Sequence, residues 1–107
     1  MSILLRVERM LPNGQESDLW FLMENASEEA YNDLSSMAPG NYLVYPEGPI
    51  IEATTNSPVY GPRLLQWIVS AATGQSQIAG LVQINTPYTI PTGPVYVFTL
   101  NVRIMAS

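Results

Sequence analysis

Three acidic residues, Glu28, Glu29 and Asp33, fall close together, and Glu29 and Asp33 stand four apart, the spacing that brings two side chains to one face of a helix. Such a group could hold a divalent cation or exchange protons. Neither chemistry is complete here, because the chain has no His and no further acid at ligand spacing joins the three. The simpler account is a solvated first helical turn, with acids where the helix dipole favours negative charge. Glu47 and Glu52 flank a turn and could form the carboxylate pair of glycosidic chemistry, but in a chain with nine acids such a pair arises by chance. Arg63, just after Gly61-Pro62, could take an anion at a helix start; alone, it reads as a surface charge. The Ser and Thr residues have no base to activate them. With no Cys, no Lys and no phosphate-binding glycine pattern around Gly74 and Gly80, thiolate, Schiff-base and P-loop chemistry are excluded. Catalysis is not expected, and neither is a cofactor or a metal.

Residues that favour contact are better represented. Pro58-Val59-Tyr60-Gly61-Pro62 and Thr86-Pro87-Tyr88-Thr89-Ile90-Pro91 each set a tyrosine between prolines. Tyrosine offers a large amphipathic area with few rotatable bonds, and proline lowers the entropy lost on binding. Tyr60 and Tyr88 are therefore candidate partner-binding residues, although for each loop taken alone a lid folded back on the core is the favoured reading. Charge supplies a second candidate surface. All nine acids lie between Glu8 and Glu52, so the first 52 residues carry −7 against their two arginines, while the rest carry only Arg63 and Arg103. Six acids run from Glu16 to Asp33, and Glu28, Glu29 and Asp33 would lead an acidic face able to dock on a basic groove. Four arginines dispersed in a chain of net charge −5 make no phosphate-tracking stripe, so direct nucleic-acid binding is not expected.

The elements that must position these residues belong to one domain, since 107 residues are too few for two cores without disulfides or metals. Only 12% of residues are charged, about half the usual fraction. A polar but weakly charged surface is covered at low desolvation cost, which hints at assembly. The apolar start, Ile3-Leu4-Leu5, is too short for a signal peptide and no run reaches the length of a membrane span, so a cytoplasmic or virion location is expected, with no membrane partner.

Alternation of Ile3, Leu5 and Val7 with Leu4, Arg6 and Glu8 predicts a half-buried strand. Pro12-Asn13-Gly14 predicts a turn, and Leu19 to Glu24 a second strand, pairing as a hairpin. Apolar residues on both faces of that second strand predict a central position or a covering partner. Asn25 with Glu28 fits a capping box for a helix carrying Ala30, Tyr31, Leu34 and Met37, stopped by Pro39-Gly40. Tyr42 to Tyr45 and Ile50 to Thr55 read as strands around a Pro46-Glu47-Gly48-Pro49 turn. Residues 63 to 73 fit a helical face through Leu64, Trp67, Ile68, Ala71 and Ala72; they also fit a strand, and the count of matches favours the helix. Gln77 to Asn85 reads as a strand. Tyr96, Phe98, Leu100, Val102 and Ile104 form one apolar face of a long last strand, and Val95, Val97, Thr99, Asn101 and Arg103 a second face that turns polar toward its end. That strand is expected at the centre of the sheet or of an interface.

The resulting expectation is an α+β domain with a mainly antiparallel sheet and one or two short helices, with an all-β sandwich as the alternative. The expected function is that of a non-catalytic structural or assembly protein, such as a small virion or decoration component, which binds a protein partner, either itself as a homo-oligomer or a larger assembly. The alternative is a small acidic inhibitor or adaptor that binds a basic site on a target, for example a nucleic-acid-binding groove.

Overall fold

The computed structural model describes residues 1–37, 39–59, 81–84 and 94–106. Strands β1 (Ser2–Met10) and β2 (Glu16–Met23) are followed by helix α1 (Glu28–Met37) and strands β3 (Gly40–Val44), β4 (Ile51–Glu52), β5 (Leu81–Ile84) and β6 (Val95–Ile104). All six strands join one sheet in the order β4-β3-β6-β1-β2-β5. The result is a small sheet-dominated domain with one described helix. The sheet is mixed: three of its five pairings are antiparallel, the kind expected to predominate, and two are parallel. β1 pairs antiparallel with β2, β2 with β5 and β3 with β4, whereas β6 runs parallel to both of its neighbours, β1 and β3. Alternation fixes which residues share a face, but it says nothing about strand direction.

The opening hairpin forms as its sequence dictates. Leu11 N–H donates to the Gln15 carbonyl at 2.8 Å, and Gly14 takes φ +87°, which glycine adopts without strain. The Asn13 side chain accepts from the Gln15 N–H at 3.0 Å and closes an Asx-type turn. β2 lies inside the sheet, between β1 and β5, as its two apolar faces suggest.

α1 starts later than the Asn25–Glu28 pattern implies. Asn25 takes φ +55°, and the cap is Ser27, whose Oγ accepts from the Ala30 N–H at 3.2 Å. A short polar side chain tolerates the left-handed turn, which frees the next hydroxyl to satisfy an orphan helix donor. Glu28 and Glu29 then occupy the first turn. The helix ends at Met37, whose carbonyl accepts a 2.5 Å bond from the buried Tyr42 hydroxyl. Burial, and behind it the charge of Glu52, pushes the Tyr42 phenol above its ordinary pKa.

The core lies between α1 and one face of the sheet. Ile3, Leu5, Val7, Phe21, Met23, Leu100 and Val102 from the strands meet Ala30, Leu34 and Met37 from the helix. Tyr31 packs edge-on against Tyr96 and Phe98, with ring centroids 4.8 and 5.6 Å apart. β6 supplies this face with Phe98, Leu100, Val102 and Ile104, and its place between β1 and β3 agrees with the expectation for the last strand.

β4 is shorter than the Ile50–Thr55 expectation. The Glu52 carboxylate accepts from both the N–H and the hydroxyl of Thr55, at 2.7 and 2.9 Å, and pulls the chain into a turn. Glu52 therefore staples a turn, and these two bonds hold its pKa below the ordinary carboxylate value. A depressed folded pKa means that the contribution of Glu52 to stability is present above its unfolded pKa and is lost as pH falls through the folded one. Urea unfolding between pH 6 and pH 3 is expected to show wild type losing more stability on acidification than Glu52→Gln. Equal losses would show that the bonds to Thr55 do not favour the ionised carboxylate.

β5 lies within the strand expected over Gln77–Asn85. The 63–73 segment falls outside the described residues, so the alternatives of helix and strand both stand for it.

Candidate functional site

Directly paired residues share a face of a sheet, so the register identifies what faces away from α1. One row across β6, β1, β2 and β5 is Val97, Leu4, Leu22 and Val82; the next is Thr99, Arg6, Trp20 and Ile84. Two further rows run from β3 through β6 and β1 to β2. The first is Asn41, Asn101, Glu8 and Asp18, and the second is Leu43, Arg103, Met10 and Glu16. This second face is apolar at one end and polar at the other. No described helix or second sheet lies on it.

At the apolar end Leu4 and Leu22 are buried, whereas Val97 and Val82 at the flanks are 56% and 60% exposed. At the polar end lies a hollow of about 620 Å³, floored by the Asn41 and Leu43 rows and reaching Ala53 beyond β3.

Arg6 organises the hollow. Its Nη2 and Nε donate to one Asp18 oxygen at 2.6 and 3.2 Å, and Nη1 lies 3.1 Å from Glu8. The guanidinium also stands 5.3 Å from the centroid of the Trp20 ring. The hydrogen bond to Asp18 raises the Arg6 pKa most; burial opposes it, and the charges of Asp18 and Glu8 add to the rise. On the neighbouring row the two charges are placed differently. Arg103 and Glu16 are both exposed, and among the described residues neither side chain has a hydrogen-bond or ion-pair partner. Met10 separates them on the row, so their strands are about 9.6 Å apart, two spacings of a sheet. Arg9, on the helix side, donates to Ser17 Oγ at 3.0 and 2.9 Å.

The acids from Glu16 to Asp33 do not form one surface. Glu28 and Glu29 are exposed, and Asp33 half-buried, on α1, whereas Glu16 and Asp18 belong to the opposite side of the sheet. Among the described residues no three acids converge on a point that could hold a metal ion. No helix among them is long and apolar enough to cross a membrane. Tyr60, Tyr88 and Arg63 lie outside the described residues. The hollow itself has one signal in the sequence: the second face of the last strand turns polar through Thr99, Asn101 and Arg103. That these residues share one face with Glu8, Asp18 and Glu16 depends on the parallel pairing of β6 with β1, which no local pattern encodes.

The chain matches no known family model, no curated protein and no solved structure.

Proposed function

We propose that this is a non-catalytic α+β protein that works by pressing the second face of its sheet against another protein, as a small structural or assembly component would, a virion or decoration protein included. The observation that carries the reading is the composition of that face. Val97 and Val82 are exposed at the flanks of an apolar row, beside a polar hollow that holds two charges without an ion-pair partner among the described residues. Exposed apolar side chains beside polar groups are a usual form of a contact surface. The α+β assignment rests on α1, which supplies one wall of the core.

The alternative, an acidic inhibitor or adaptor for a basic site, draws on Glu28, Glu29 and Asp33. It has less support, because the six acids divide between the two sides of the sheet and do not present one field.

A photo-crosslinking side chain at position 97, with the exposed turn residue Asn13 as the control position, tests the reading in the cells that make the protein. Adducts are expected from position 97 and not from position 13. Adducts from position 13 alone, or from neither, would overturn it.

A further inference from the structure

We infer that the partner of this face is a second copy of the same chain, docked face to face about a two-fold axis that runs along the strands between β6 and β1. The inference rests on the contact reading above and names its partner.

The axis divides the face into a β1–β2 half and a β6–β3 half. The first half carries Arg6 against Glu8, Asp18 and Glu16, a balance of −2, and the second carries Arg103 with Asn41 and Asn101, a balance of +1. A two-fold interface sets each half of a patch on the other half of its twin, so a patch with oppositely signed halves is complementary to itself.

Rotation about this axis keeps each row level and exchanges β6 with β1 and β3 with β2. The amides of Asn101 and Asn41 then stand over Glu8 and Asp18 of the twin. Each of these carboxylates has acceptor capacity beyond its bond to Arg6. Arg103 stands over Met10, which can cover its aliphatic stem, with Glu16 of the twin one strand away at the same level. Faces of two sheets pack about 10 Å apart, a gap that an extended Arg and an extended Glu bridge together. Arg103 and Glu16, two charges with no ion-pair partner among the described residues, are thus brought into reach of each other twice.

Light scattering behind size exclusion, over a range of protein concentration, provides the test. Wild type is expected to approach twice the 11.8 kDa chain mass as concentration rises, with association weakening as salt is added. Arg103→Glu alone and Glu16→Arg alone each set like charges together at both contacts. Each is expected to weaken self-association at least tenfold, with the melting temperature of the dilute, monomeric protein unchanged. Mixing the two variants restores an Arg–Glu pair at both contacts, so the mixture is expected to recover the dimer. Dimers that survive both single variants, or a mixture that stays monomeric, would overturn this arrangement. Monomeric wild type at every concentration would overturn the second copy as partner. In that case adducts from position 97 at masses other than twice the chain would leave the contact reading standing, and the absence of any adduct would remove both.

Discussion

Phe21→Ala is expected to remove about 3–5 kcal/mol of folding stability, the range for deleting a fully enclosed aromatic ring. A domain of this length has about 5–15 kcal/mol in all, so the variant stands at or near the threshold of folding at room temperature. Phe21 has no solvent exposure and sits on β2 opposite Leu5, in the cluster that joins the sheet to Leu34 and Ala30 of α1. The ring therefore supports the contact of sheet and helix as well as its own strand. Close packing leaves neighbours little room to collapse into the space, so a cavity cost adds to the lost transfer energy. Phe21→Leu, which keeps most of the volume, is expected to cost much less. Urea unfolding of both variants decides the matter. A loss under about 1.5 kcal/mol for Phe21→Ala, at an unchanged slope, would mean that this site relaxes far more freely than cores ordinarily do.

Gly40→Ala is expected to cost about 2–5 kcal/mol, although it adds a single methyl group, because overpacking and a disturbed buried hydrogen bond act together. The Tyr42 ring lies over Gly40. A Cβ at position 40 would stand 2.5 Å from ring atoms Cε2 and Cζ, and closer still to Oη. A ring at the surface would swing aside at little cost. Tyr42, however, is 4% exposed, and its hydroxyl donates to the last carbonyl of α1. Displacing the ring opens the core and leaves both the hydroxyl and the Met37 carbonyl short of a partner. A glycine in a strand thus marks a close approach of another group. A double-mutant cycle checks the cause. In a Tyr42→Leu background the cost of Gly40→Ala is expected to fall by more than half. An unchanged cost would place the strain in the backbone at position 40, not in the ring above it.

Gly40 and Tyr42 also show where sequence patterns stop. Pro39-Gly40 reads as a helix stop, and the helix does end just before it. The second role of the glycine, as the floor beneath a tyrosine, appears only once β3 has paired with β6 and α1 has closed over it. The start of α1 has the same character. Asn25 and Ser27 are both capable caps, and the choice between them fell to the path of the chain. The N–H of Ala26 donates to the Met1 carbonyl at 2.6 Å, and Asn25 is the residue that turns to allow it.

By itself the sequence determined the local elements and the side each residue would take. Alternation placed β1, β2 and β6, Pro-Asn-Gly placed the first turn, and three-to-four spacing placed Ala30, Leu34 and Met37 toward the core. These are short-range consequences of backbone geometry and apolar burial, and they hold whatever the strands pair with. Only the tertiary structure decided that β6 would insert between β1 and β3, parallel to both. It also decided that the acids would divide across the sheet and that Arg103 and Glu16 would share one row without meeting. The physical reason is that strand order and direction are chosen by the burial of the whole apolar face under α1, a sum over distant residues. The candidate contact face is the other side of that choice.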